Sequence, residues 1–262
     1  MRICFVFLSG LLFLHARAQE PAAPFVTTPA EVVERMLRLA GTGPQDYVID
    51  LGSGDGRIVI AAARDFGARG LGVDIDPKLV AVSREQARAA GVAERTAFEE
   101  RDVLRTDLSR ATVVTVYLLP WLIDRLQPRF LAQLRPGARI VTHAFGMVGW
   151  KPDRTETVRL SKPHAMQGGE STLYLWVVPA DARGEWLGGG WRLRIAQNFQ
   201  EIDVEGGQPG TGRKVEQARL EGAEIRFSGA HFEFAGKVEG GRIAGRLTQD
   251  GKTSPLELQK SP

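Results

Sequence analysis

The chain predicts an α/β fold built on a mostly parallel sheet, followed by a small antiparallel β domain. Three observations carry this. The stretch Val48-Ile49-Asp50-Leu51-Gly52-Ser53-Gly54-Asp55-Gly56 reads as a strand, a tight turn and the start of a helix. From there to about residue 142, apolar strand segments alternate with amphipathic helical ones, the order of a parallel sheet with crossover helices. Beyond residue 190, short alternating segments recur between Gly-rich turns, the pattern of antiparallel strands.

The glycine-rich turn is the organising feature. Glycine at positions 52, 54 and 56 removes the Cβ atoms that would keep a ligand from the backbone. A dinucleotide fingerprint needs its third glycine at position 57, which is Arg57, so the pattern is GxGxG and argues against NAD. A second short strand, Gly70-Leu71-Gly72-Val73-Asp74, ends in an acid about 20 residues further on, the spacing at which a carboxylate reaches ribose hydroxyls. Together the two strand ends describe an adenosine site.

On these residues the chain resembles a class I S-adenosylmethionine-dependent methyltransferase over roughly residues 27–180. The resemblance implies a Rossmann-like sheet of seven strands with an antiparallel last strand, and S-adenosylmethionine as cofactor. It implies that Asp50, Gly52, Ser53 and Gly54 hold the methionine and ribose portions, and that Asp74, followed by Ile75, is the ribose acid.

The chain begins with Met1-Arg2, an apolar run over residues 3–14 and Ala16-Arg17-Ala18, the pattern of a secretory signal peptide cleaved after Ala18. The run is short of the ~20 residues a spanning helix needs, so no membrane span is expected after cleavage. Cys4, the only cysteine, lies inside this segment, leaving a mature chain without thiol or disulfide. The expected location is exported, periplasmic or secreted. Acidic and basic residues are interspersed and the net charge is +3, so no stripe for nucleic acid is visible.

Residues 19–26 read as a Pro/Ala linker. Thr28-Pro29-Ala30-Glu31 then gives a cap, a proline at the first helical position and an acid three residues after the cap, opening a helix stopped by Gly41 and Gly43. The same Thr-Thr-Pro entry resembles the segment that folds over the methionine end of the cofactor in some class I methyltransferases, which makes Thr28 a cofactor candidate as well as a cap. Residues 77–91 form a helix and 96–101 a strand. Asp102 and Val103 follow at the carboxyl end of that strand, where open α/β sheets bind ligands. In the family an acid here meets the adenine amine; a turn residue is the alternative.

Residues 111–119 read as a buried parallel strand, ending in Tyr117-Leu118-Leu119-Pro120-Trp121. The Asp/Asn-Pro-Pro-aromatic motif of many amino-methylating relatives is absent. The Tyr-Leu-Leu-Pro segment is instead similar to the Phe-Leu-x-Pro of mitochondrial protein-lysine methyltransferases acting on ATP-synthase and carrier subunits, which share the Asp-Leu-Gly-Ser-Gly-Asp-Gly loop. The resemblance makes Tyr117, Pro120 and Trp121 substrate-pocket candidates. A helix over 123–134 and a strand over 138–142 lead to His143, a candidate general base or an orienting residue for the loop. Residues 147–170 read as a loop with one strand near Thr157, and 171–178 as the final strand. A linker over 181–190 and a β-rich domain over 191–262 complete the chain. No cluster has metal-ligand spacing. Methyl transfer needs chiefly alignment and a desolvated path, so the absence of a catalytic dyad fits an enzyme acting on an amine, a protein lysine ahead of a small amine. An exported binding or scaffold protein that keeps the fold without catalysis is the alternative.

Overall fold

The computed structural model describes residues 26–164 and 167–261. The expected signal peptide lies outside them. The first domain runs α1 (Ala30–Leu39), β1 (Tyr47–Leu51), α2 (Arg57–Phe66), β2 (Arg69–Asp74), α3 (Pro77–Ala89), β3 (Thr96–Glu100), β4 (Val113–Val116), α4 (Pro120–Gln133), β5 (Arg139–His143), β6 (Arg154–His164) and β7 (Gly168–Val177). Its seven strands lie in the order β3-β2-β1-β4-β5-β7-β6. Only β7 runs against its neighbours β5 and β6. The order reverses between β1 and β4, and at such a switch point the carboxyl ends of the strands leave a crevice for ligands.

Burial explains why these segments take their forms. β1 and β4 are buried along almost their whole length because helices cover both sheet faces. Val32, Val33, Met36 and Leu37 of α1 pack with Ile58 and Ala62 of α2 on one face, over Val48, Val113 and Val141. Ile123, Leu126 and Phe130 of α4 cover the other face, over Ile49, Val114 and Ile140. α3 is started by Asp76, whose carboxylate accepts from Lys78 N, with Pro77 next in the first turn.

Several expectations need correction. Thr28 does not cap α1: the cap position is Pro29 without a side-chain bond, and Glu31 accepts from Ser161 instead. α4 starts at Pro120 rather than 123, and β4 stops at Val116, so Tyr117 leaves the strand. The strand expected near Thr157 is β6, which is longer than expected, and with β7 it forms a long hairpin. β6 is an edge strand whose only buried side chain is Val158, so its sequence lacks the alternation by which strands are recognised. The expected linker contains β8 (Gly184–Gly188), whose flanking glycines read as turn.

The second domain continues with β9 (Trp191–Asn198), β10 (Glu201–Gln208), β11 (Arg213–Lys214), β12 (Gln217–Glu221), β13 (Glu224–Gly229), β14 (Phe232–Glu239), β15 (Arg242–Gln249) and β16 (Lys252–Lys260). Its nine strands are ordered β11-β10-β9-β8-β16-β15-β14-β13-β12. The two outer edges meet, because Val215 N bonds to Gly206 O on β10 and Glu216 N to Ser228 O on β13. Closure removes the exposed edges. Side chains fill the interior, with Phe227 stacked on Phe234 at 4.5 Å and Trp191 edge-on to Phe232 at 4.7 Å. Trp150 joins the two domains, stacking on Phe199 at 5.0 Å and donating to Gln200 Oε1 at 2.8 Å. Among the described residues no helix is long and apolar enough to cross a membrane.

Candidate active site

The ends of β1, β2 and β3 form one half of the site. Gly52, Gly54 and Gly56 all have positive φ, which side chains rarely tolerate. Gly52 N and Ser53 N both bond to Val73 O at 2.9 Å, hanging the loop on β2. Asp74 accepts from Gly54 N at 2.8 Å and from Asp76 N at 3.0 Å, so its carboxylate is fixed at the strand end. Ile75, next to it, is 73% exposed, a large apolar side chain held out at the crevice. On the neighbouring strand end, Asp102 accepts from Leu104 N at 2.8 Å and Val103 is partly buried. Asp102 therefore does serve as a turn residue.

Asp50 lies beneath the loop. It is buried and accepts from Thr115 Oγ1 at 2.7 Å. Burial pushes its carboxyl up to about 7, against the Thr115 hydrogen bond and with the negative neighbours Asp74 and Asp55 adding to the rise. Asp55 behaves oppositely. Burial works to raise it, but the hydrogen bonds and charge of Arg57 hold it below the usual carboxylate range.

The other half gathers where β4, β5 and the hairpin end. His143 is the last residue of β5 and is fully buried. Its Nδ1 lies 3.3 Å from Thr28 Oγ1, and its Nε2 lies 3.1 Å from both Gln167 Oε1 and Ser171 Oγ. Gln167 Nε2 donates to the Tyr117 hydroxyl at 3.1 Å, and the Tyr117 ring lies against His143 at 4.1 Å. Burial, aided by the charge of His164 and opposed by the Gln167 bond, holds the imidazole down to about 4. His143 is thus neutral near pH 7 and faces inward, a partner that orients its neighbours. Residues 168–172 of β7 extend past its last pair with β5, His143↔Leu173, so the hairpin overhangs this end of the sheet. His164 on that overhang bonds to Thr27 O at 3.0 Å, and Arg57 donates to Thr28 O at 2.8 Å, strapping the N-terminal segment across the site.

The structure therefore brings Thr28, Tyr117 and His143 together. Pro120 and Trp121 stand apart in the first turn of α4, Trp121 being 37% exposed. His143 is engaged with Thr28, Gln167, Ser171 and the Tyr117 ring. Gln167, Ser171, His164, Thr115 and Arg57 are additions that the sequence does not signal. No local motif announces them, because each acts through a partner far away in the chain. Among the described residues no cluster of three or more His, Cys, Asp or Glu side chains is placed to hold a metal ion.

The first half fits an adenosyl cofactor. Asp74, fixed at its strand end, would accept from ribose hydroxyls, the buried Ser53 hydroxyl has no partner of its own, and Ile75 and Val103 would offer apolar contact for a flat base. Comparison with known proteins decides the family. An archaeal protein from Saccharolobus islandicus, 36% identical over 159 residues, covering 60% of this chain and 95% of its own length, is named a protein-lysine N-methyltransferase. The chain belongs to the S-adenosylmethionine-dependent methyltransferases. Residues 50–154 of this methyltransferase match the family model described as the ANTKMT methyltransferase domain. It is 34% identical over 129 residues to the adenine nucleotide translocase lysine N-methyltransferase of Mus musculus, covering 49% of this chain and 56% of that protein. The methyltransferase thus spans little more than half the length of that relative. A solved structure from Salinibacter ruber, described as an RNA methyltransferase in complex with S-adenosyl-L-homocysteine, is 49% identical with a TM-score of 0.53. The match covers 58% of this chain and 93% of that one. The enzyme's cofactor is accordingly S-adenosylmethionine, and its fold is the seven-stranded Rossmann-like sheet that the glycine loop implied.

Proposed function

We propose that this methyltransferase acts on the side-chain amine of a protein lysine. The observation that carries the reading is the 36% identity to the archaeal protein-lysine N-methyltransferase over nearly all of that protein. S-Adenosylmethionine supplies a methyl group on a positively charged sulfur, whose C–S bond breaks as the acceptor nitrogen takes the carbon. The chain has to align the nitrogen and keep it unprotonated. A half-buried Tyr117 beside a neutral imidazole supports both: it is a partly desolvated surface, and desolvation lowers the pKa of an arriving ammonium. The methylenes of a lysine arm can pack on the partly exposed Trp121 ring in the first turn of α4.

A second reading, transfer to RNA, is favoured by the description of the Salinibacter relative. It is weakened by the missing Asp/Asn-Pro-Pro-aromatic motif and by the interspersed charge. The test incubates the enzyme and labelled S-adenosylmethionine with cell-envelope protein and, separately, with total RNA, followed by mass spectrometry. Label on lysine Nζ is expected. Label on nucleotides, oxygens or carboxylates alone refutes the lysine reading.

We also propose export, supported by the basic start, the apolar run and Ala16-x-Ala18. Protein recovered from the cell envelope should begin at Gln19; intact Met1 in the cytosol would contradict it.

A further inference from the structure

Thr28 is bonded to both halves of the site. Its carbonyl oxygen accepts from Arg57 Nη1 at 2.8 Å, and its hydroxyl lies 3.3 Å from His143 Nδ1. Arg57 opens α2 directly behind the glycine turn, and its remaining nitrogens hold a carboxylate of that turn, with Nε 2.9 Å and Nη2 2.5 Å from the Asp55 oxygens. One guanidinium thus joins the glycine loop to the N-terminal segment. On the far side, His143 Nε2 faces the oxygen of Gln167, which only accepts, so the imidazole proton sits on Nε2 and the bare Nδ1 accepts from the Thr28 hydroxyl. Asp55, Arg57, Thr28, His143 and Gln167 therefore form one continuous chain of hydrogen bonds from the turn after β1 to the β6–β7 hairpin.

The residue types suit this chain. A guanidinium that grips a carboxylate through two nitrogens keeps its third aimed in a fixed direction, which the single point charge of a lysine cannot do. The first turn of α1 closes on Pro29 O, which accepts from Val32 N and Val33 N, so the Thr28 carbonyl is left to Arg57. Thr28 is 4% exposed and the Asp55 side chain 15%, so water competes little for these bonds.

We propose that Arg57 is a positioning residue that fixes the two halves of the site against each other, acting through Thr28 on His143. The cofactor rests on the glycine loop and the acceptor arrives at the other half, so a shift of one half against the other by about 1 Å spoils an in-line transfer. Arg57 takes no part in the chemistry. The inference rests on the methyltransferase assignment, and only its rate measurement rests on the lysine reading.

Two variants cut the chain at different links. Arg57→Lys keeps the charge and loses the fork, while Thr28→Val keeps the carbonyl and the shape and loses the hydroxyl. In the unloaded protein, nitrogen NMR reads whether His143 Nδ1 accepts a hydrogen bond. The Nδ1 signal should move in Thr28→Val toward that of a free imidazole nitrogen. Arg57→Lys, although residue 57 does not touch the imidazole, should give the greater part of the same displacement. With labelled S-adenosylmethionine and poly-L-lysine, each variant should lose on the order of 10-fold in kcat, the upper end of what one neutral hydrogen bond supplies. Affinity for S-adenosylhomocysteine should stay within about 2-fold. The double variant should lose little more than either single one, because both substitutions break the same chain. Should Arg57→Lys fail to fold, Asp55→Asn, which loosens the guanidinium from its other side, takes its place with the same expectations. An unmoved His143 signal in the folded variant overturns the proposal. So do losses that multiply in the double variant, or a fall in S-adenosylhomocysteine affinity as large as the fall in kcat. Failure of the wild type to methylate poly-L-lysine overturns the lysine reading instead, and the NMR comparison then decides on Arg57.

Discussion

The two halves of the site are built on different principles. The cofactor half is made by backbone: three positive-φ glycines and two amides locked on Asp74, all within residues 52–76. The acceptor half is made by side chains brought from residues 28, 117, 143, 167 and 171 into one hydrogen-bonded group. A backbone device leaves a short contiguous signature, since few residues other than glycine accept that geometry. A side-chain network leaves none, because any polar residue at the right place in space can join it.

The largest expected effect breaks the backbone half alone. Gly56 has φ +82°, and a Cβ there would stand 2.6 Å from Ser83 Cβ and 2.7 Å from the Phe98 ring. Gly56→Ala should cost about 3 kcal/mol or more, combining strain with overpacking. Denaturant unfolding would check this, and a change below about 0.5 kcal/mol would show that the loop is less constrained than its geometry indicates.

The same contrast explains how much is legible in the sequence. The sheet, the glycine loop, Asp74 and the position of Asp102 can be read because apolar runs and glycines are local signals. Thr28 stands out in the sequence as a helix cap, which it is not, and, through the resemblance, as a cofactor candidate. Its hydroxyl turns to His143, a contact no window around residue 28 contains. Gln167 is invisible there because β6 is polar on both faces, so only a strand near Thr157 shows and the turn that carries Gln167 looks like loop. In the barrel, β10 buries only Val204 and Gly207 and shows no strand pattern for the same reason.

Acid titration sharpens the comparison, because each half holds one group displaced in the opposite sense. Asp50, raised to about 7, stabilises the fold when protonated and loses that contribution as pH rises from about 4 through 7. His143, lowered to about 4, stabilises the fold when neutral and loses that contribution as pH falls from about 6.5 through 4. Relative to wild type, Asp50→Asn should therefore gain stability as pH rises across this window. His143→Asn should gain it as pH falls. Each change should be on the order of 3 kcal/mol in full. Melting curves at pH 4, 5.5 and 7 distinguish the two, and parallel behaviour of both variants would refute the opposed assignment.

Asp74→Ala should be smaller in stability but specific to the cofactor. It removes a charged acceptor from ribose hydroxyls, about 1.5 to 3 kcal/mol of affinity for S-adenosylhomocysteine by calorimetry. The His143 NMR signals should not move, since the residues of the acceptor half do not contact Asp74. The smallest effect is expected at Trp121. Its replacement by Ala should lower transfer to protein about 3-fold through lost packing of the lysine arm, with cofactor affinity unchanged; an equal loss of both would place Trp121 at the cofactor.

Cofactor binding at the ends of β1 to β3 is the point on which both halves depend. Calorimetric titration of the wild-type chain with S-adenosylhomocysteine should give one site per chain. At 100 times the dissociation constant the ligand should stabilise the fold by about 2.7 kcal/mol, with no comparable response to NAD. No heat and no stabilisation with S-adenosylhomocysteine, or a response to NAD in its place, would contradict it.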